Sequence, residues 1–439
     1  MSAEWSEYSL GDLGEIKTGK TPPAKVVDAY GEDTPFITPR DMDGRKWIDS
    51  TERYLSDNGV ESVKKSLVPA RSVAVSCIGS DMGKTVMVAK LSVTNQQINT
   101  IIVDESRYNA EFVYYNLSTR QEELKSIASG SATPILNKGH FSIVKIFLPS
   151  KKNQDSIVYI LRSIDGKIEL NHQINQTLEE MTQAIFKSWF VDFEPVKAKI
   201  EAKANDQDPE RAAMCAISGK TDAELDHLPP DQLVKLRATA ALFPDELTDS
   251  ELGSIPEGWT YSTLGEVIEI FDSKRVPLSK RQREERKGPY PYYGAASVMD
   301  YVDDYLFDGT YLLMAEDGTV MDGNGYPTIQ YVWGKFWVNN HAHILKGAAG
   351  VSGENILLFL KNTVIAPYVT GAVQLKINQK NMKMIPFLKA PEDVHQSFGK
   401  AIQPLFEVIK QRTNESQVLT ELRDVLLPKL LSDSLEIRG

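Results

Sequence analysis

The chain has 439 residues, enough for two or three domains with separate cores. Its composition, 41% hydrophobic and 25% charged, is that of a folded globular protein and excludes wholesale disorder or a collagen-like repeat. The net charge of −11 argues at face value against a nucleic-acid partner, but residues 195–258 alone hold −6 of it, and every other segment lies between −2 and +1.

No run of 18 apolar residues predicts a membrane span. The start, Met1 to Trp5, lacks the basic and apolar stretches of a secretory signal, and Cys77 and Cys215 are too few for a disulfide framework or a zinc site. A cytoplasmic protein without membrane contact is expected.

Residues 1–150 mix short β-branched and aromatic runs, such as Val73–Ile78 and Thr85–Ala89, with Gly, Pro and Asn/Asp punctuation. They predict a mixed α/β domain with a curved sheet and one helix near 110–127. Within it, Gly14 to Thr21 fits the literal G-x-x-x-x-G-K-[ST] pattern of a phosphate-binding loop. That reading is weak: Pro22 and Pro23 follow at once, and the preceding Tyr8–Leu13 is too polar for a buried parallel strand. Lys20 and Thr21 read better as a turn tip near a backbone phosphate.

Residues 151–194 predict a long helix. Ile157, Leu161, Ile164, Ile168, Asn171, Asn175, Leu178, Thr182, Ile185 and Trp189 follow the 4-3 spacing of a coiled coil, seven of the ten being apolar. Residues 195–258 form an acidic connector with short helices predicted at 209–217 and 231–240, while the charged start at 197–208 reads as a flexible linker.

The chain then repeats itself. Trp5–Ile16 aligns with Trp259–Ile270 at an offset of 254, Asn95–Asn99 with Asn339–His343 at 244, and Gly130, Asn137, Ile168 and Leu178 with Gly371, Asn378, Ile409 and Leu419 at 241. Three blocks in one order with shrinking offsets indicate two diverged copies with loops of different length. Residues 259–390 are thus a second α/β domain, with a helix near 354–366. Residues 391–439 are a second long helix, whose seam runs Phe398, Ile402, Leu405, Ile409, Arg412, Ser416, Leu419, Arg423, Leu426, Leu430. The two long helices are expected to pack on each other, their polar seam positions fixing register.

Enzyme motifs are absent: there is no H-E-x-x-H, no G-x-S-x-G, and no Asn/Asp-Pro-Pro-aromatic signature of an amino methyltransferase. His341 and His343 flank Ala342 without a third ligand nearby in sequence, which favours a structural or phosphate-contacting role over a metal. One stretch does suggest nucleic acid. Lys274–Lys287 carries seven basic and two acidic residues, followed by Tyr290, Tyr292 and Tyr293. A solvated charged loop is the plain alternative. The DNA-contact candidates are Lys274, Arg275, Lys280, Arg281, Arg283, Tyr292 and Tyr293 in the second copy, and Lys17, Lys20, Thr21, Arg40 and Lys84 in the first.

Two phrases carry a resemblance. Ala184-Ile-Phe-Lys-Ser-Trp-Phe-Val-Asp-Phe-Glu-Pro195 resembles the end of the central helix in specificity subunits of type I restriction–modification enzymes, and Phe243–Trp259 is similar to the lead-in to that family's second recognition domain. The resemblance covers nearly the whole chain. It implies an α/β architecture of two target recognition domains in tandem, separated by two long antiparallel coiled-coil helices. It further implies a non-catalytic reader of double-stranded DNA, each domain binding one half of a bipartite, asymmetric site. Two modification subunits using S-adenosylmethionine to methylate adenine, and restriction subunits using ATP and Mg, would join it; no cofactor is expected in this chain. A seam from 157 to 190 would span roughly 50 Å, more than one DNA turn of about 34 Å. Phe186, Trp189, Phe190 and Phe193 are candidates for docking the modification subunits, with burial in the core as the alternative. The rival reading is a coiled-coil scaffold that binds protein only.

Overall fold

In the computed structural model, which describes residues 5–127, 135–371 and 374–432, the chain divides into two units. One holds the residues up to Asn171 and those from Asn414 on; the other is His172–Thr413. Gly130 and the last seven residues of the expected second helix, 433–439, lie outside the described residues.

The first unit contains a sheet ordered Gly14–Thr18, Ile98–Val103, Val73–Ser76, Thr85–Val88, Trp47–Ile48. Its three central neighbours pair antiparallel, and Val73–Ser76 is buried along its length, as expected for a β-branched run covered on both faces. Helix Ala110–Ser118 begins at Asn109, whose side chain caps the backbone N–H of Glu111 and Phe112. A second five-stranded sheet carries Thr34–Ile37 and Ser92–Thr94, and Ser6–Ser9 pairs with Lys145–Leu148 beside the start of the long helix. Gly14 is required where it stands. Its φ is +154°, and a Cβ there would lie 2.0 Å from the Ile102 carbonyl oxygen.

The second unit repeats this plan. Ile268–Ile270, Ala342–Gly347, Tyr311–Ala315 and Ile329–Val332 form a sheet in the same order, and Thr260–Thr263 pairs with Pro386–Lys389. The registers coincide. Ile16 faces Ile101 in the first copy and Ile270 faces Leu345 in the second, each pair displaced by the sequence offset of its block.

The two long helices are Lys151–Phe190 and Glu392–Leu430. They run antiparallel in each unit: Asp165 meets Arg423 and Asn171 meets Glu415 in the first, Asn175 meets Thr413 and Phe186 meets Phe398 in the second. Every seam position named above is buried or half-buried, which fits the 3.5-residue period. The seam is not all coiled coil, however. Ile157, Leu161 and Leu430 join the first domain's core, while Trp189, Phe398 and Ile402 join the second's.

The connector departs from the linker expected at 197–208. Residues Glu194–Ala204 form a helix with Pro195 in its first turn. Val196 is buried in the second unit's core, and Lys199 Nζ lies 2.7 Å from Glu210 and 2.8 Å from the Phe243 carbonyl oxygen. Phe193 turns the chain into this helix with φ +54°, held there by Trp259, whose ring lies 5.7 Å away edge-on. Helices Pro209–Ser218 and Pro230–Ala240 lie where expected. Among the described residues no helix is long and apolar enough to cross a membrane.

Candidate nucleic-acid interface

The phosphate-loop reading fails on geometry. Gly14–Thr18 is a strand, not a loop, and Lys20 is followed by turns rather than a helix. Gly19 serves a different need: its Cα packs onto the neighbouring backbone so closely that a Cβ would sit 2.0 Å from the Asn95 carbonyl oxygen. Lys20 emerges exposed from that contact, its backbone N–H donating to Thr94 O at 2.9 Å. Lys274, 254 residues on, is exposed after the equivalent strand of the second copy.

The basic stretch 274–287 separates into two sets. Lys274, Lys280 and Arg281 are exposed, Lys274 with its Nζ 5.1 Å from the centre of the Phe271 ring and the last two in long surface pairs with Glu284 and Glu285. Four other cations are internal ties. Arg275 Nη1 lies 2.8 Å from Glu316 and 2.9 Å from the Ala342 carbonyl oxygen. Arg283 donates to the Leu278 carbonyl at 2.7 Å, pairs with Asp300 at 3.3 Å and covers the Tyr292 ring. Arg286 and Lys287 pair with Asp303 and Asp300. Tyr292 is buried, its hydroxyl accepting from the Leu278 N–H at 2.9 Å, and Tyr293 is half-buried against Phe336. Arg275, Arg283 and Tyr292 are therefore structural, contrary to the expectation that they face DNA. Their partners, Asp300 and Glu316, are far enough along the chain to be invisible as partners in sequence.

In the first copy Arg40 is exposed. Lys84 pairs with Asp81 at 2.8 Å, and Thr21 donates to Gln96. Lys17 is drawn back to the Leu67 carbonyl at 3.0 Å and is corrected to a structural role. The docking candidates are corrected too. Phe186, Trp189 and Phe190 are buried, and Phe193 is half-buried, all in the aromatic core with Phe243, Trp259 and Phe398. The apolar residues left exposed on a long helix include Val418, Leu422 and Val425, at 62%, 45% and 56%, spaced four and three apart on one face.

Beside the exposed turns lies a polar joint made twice from different residues, half-buried in the first copy and buried in the second. In the first copy Thr18 Oγ1 donates to Asn99 Oδ1 at 2.7 Å, and Asn99 Nδ2 donates to the Leu136 carbonyl at 3.1 Å. In the second, His343 joins Asp272 at 2.6 Å and the Ile377 carbonyl at 2.9 Å. Asp272, Glu316 and His343 bring ligand-type atoms within 4.8 Å of one another. Arg275 and Lys376 already neutralise that cluster, and Gln379 donates to Asp272 at 2.6 Å, so the donor set does not suit a metal ion. Burial opposes ionisation of Asp272 and Glu316, but hydrogen bonds from His343 to the former and Arg275 to the latter hold both carboxyls below their ordinary range.

At the opposite strand ends, Glu111 ties the first sheet to the long helix. It receives Lys46 at 2.9 Å, Arg71 at 3.2 Å and Arg162, while Tyr115 donates to Asp165 beside it. Burial raises its pKa, but the hydrogen bonds from Arg162 and Lys46 outweigh that and hold it down at about 2.

Above the joint, sequence reasoning passed over two residues. Asn95 Oδ1 accepts from the Gln97 N–H at 3.0 Å, and Asn339 Oδ1 accepts from the His341 N–H at 2.8 Å. Each closes a tight turn whose middle residue, Gln96 or Asn340, is an exposed amide. The signal was present in the aligned amide-rich block 95–99 and 339–343, which served only as evidence of duplication.

Residues 2–180 and 256–418 match the protein family described as type I restriction modification DNA specificity domain. The chain is 27% identical to the type I restriction enzyme HindI specificity subunit of Haemophilus influenzae, over 98% of this chain and 99% of that one. It is 25% identical to the MjaIX specificity subunit of Methanocaldococcus jannaschii, over 99% and 94%. In fold it is similar to a crystal structure of a type I restriction–modification S subunit from M. genitalium, with a TM-score of 0.56 and 17% identity over 98% and 96% of the two chains.

Proposed function

Since the chain belongs to the family of type I restriction modification DNA specificity domains, we propose that its two α/β domains each read one half of a bipartite, asymmetric DNA site. It is the non-catalytic recognition component, and its partners are DNA, modification subunits and restriction subunits. The long helices set the spacing between the half-sites and dock two modification subunits, with S-adenosylmethionine, ATP and Mg held by the partner chains. The complex works in the cytoplasm, where the DNA is.

One observation carries this reading: the two sheets share four strands in the same order and register, while many side chains around their turns, such as Gln97 against His341 and Asn99 against His343, differ between the copies. A shared scaffold offers equivalent surfaces to two identical partners, and diverged turns let each copy meet different bases. The family match runs through both α/β domains, and nothing supports the protein-only scaffold.

Co-expression with a modification subunit, followed by methylome sequencing, tests it. Adenine methylation in a two-part motif is expected. A stable complex that adds no such motif would overturn the reading.

A further inference from the structure

We propose that Gln96 and Asn340 are base-reading residues of the two domains, each directed at adenine in the major groove. The inference rests on the reading given under Proposed function and identifies which side chains carry out the recognition.

Both residues occupy the middle of the same turn. Asn95 and Asn339 fold their side chains back onto the N–H two residues ahead, so the residue between them is pushed outward in each copy. In both copies that residue is an exposed carboxamide. A carboxamide offers one donor and one acceptor in a plane, matching the N7 and N6 groups of adenine.

The turns are rigid from below. Thr18, Asn99 and the Leu136 carbonyl lock the first; Asp272, His343 and the Ile377 carbonyl lock the second. Arg275 reinforces the second by donating to the carbonyls of Ala342 at 2.9 Å and Asn340 at 3.4 Å. Thr21 Oγ1 donates to Gln96 Oε1 at 2.5 Å and orients that amide. Such support is what discrimination requires, because a freely rotating amide tolerates any base edge.

Position and charge agree. The first turn lies at the strand end opposite the one tied down by Arg71, Glu111 and Arg162, and each turn has an exposed lysine after the neighbouring strand, Lys20 or Lys274, suited to a flanking phosphate. Asn340 is one methylene shorter than Gln96, so the copies reach their bases differently.

The test uses the full chain in complex with its modification subunits, selecting from a pool of random-sequence duplex DNA. Gln96→Ala should lower the preference for adenine about tenfold or more at one position of one half-site and leave the other half-site intact. Asn340→Ala should do the same in the other half-site. The isosteric Gln96→Glu and Asn340→Asp guard against loss of fold and should also abolish the adenine preference. Preferences unchanged in these variants, or weakened evenly over both half-sites, would overturn the inference alone. A parent complex without any two-part preference would overturn the underlying reading and the inference with it.

Discussion

The side-chain amide of Asn171 donates from Nδ2 to Oε2 of Glu415 at 3.0 Å, and Asn171 itself is fully buried in the seam between the long helices. Lys167 supports the same carboxylate from 3.5 Å. Asn171→Asp keeps the shape but sets a second carboxylate against Glu415, which is expected to cost about 3 kcal/mol at neutral pH. The penalty should shrink as the pH falls, because the protonated acid sits better in a buried seam. Asn171→Leu, which removes a buried amide oxygen without a partner, is expected to stay within about 1 kcal/mol of the parent. Denaturant titration of the three proteins checks both.

Acid should weaken the two units over different ranges. Glu111 in the first has its pKa held down to about 2, so the stability it contributes is complete above its ordinary value of 4.5 and is lost as the pH falls towards 2. In the second, burial and then the nearby Lys389 push His395 down to about 4, so that unit loses stability from about pH 6.5 to 4, by up to about 3 kcal/mol. His395→Gln should flatten the upper range and Glu111→Gln the lower, measured as melting temperature against pH. Because Glu111→Gln leaves Arg162 and Lys46 without their anion, a loss of about 3 kcal/mol at pH 7 is also expected.

The basic stretch yields a contrast between neighbours. Lys280→Ala and Arg281→Ala, on the short exposed helix Lys280–Glu285, should each lower the slope of log affinity against log salt by about one without altering the melting temperature. Arg283→Ala should lower the melting temperature instead, by removing the tie from Leu278 to Asp300 over Tyr292. Salt titrations and melts on the same samples separate the two effects.

Val418→Asp combined with Val425→Asp places charge on the apolar face of the second long helix. Capture of modification subunits should fall at least tenfold, because a carboxylate in an apolar contact costs about 1–3 kcal/mol or more per site. The fold should hold, since both side chains are exposed. By contrast, Trp189→Ala should cost about 3–5 kcal/mol of stability, because that ring is core. Co-elution on size-exclusion chromatography, set beside thermal melts, distinguishes a lost surface from a lost core.

The duplication and the long helices were legible because period and offset are properties of a sequence by itself. The helix at Glu194–Ala204 was missed because its Lys and Glu content resembles a solvated linker; Pro195 and the run of Ala and Lys were the overlooked signals of helix propensity. Exposure was the larger gap. Arg281 and Arg283 are two residues apart and indistinguishable by type, yet one faces water and the other meets Asp300, which only folding brings near. Phe186 and Phe190 likewise invited a surface role until Trp259 and Phe398 covered them.

The joint of Thr18, Asn99 and the Leu136 carbonyl, remade as Asp272, His343 and the Ile377 carbonyl, sets the terms on which pieces of the two copies can be exchanged. Thr18→Asp alone would set a carboxylate against the buried Asn99 amide, without the cations that Arg275 and Lys376 provide in the second copy. Asn99→His alone would lack an acid partner. Hybrid domains with new specificities should therefore be cut outside this joint and carry its members together, with the turn above travelling as part of the same cassette.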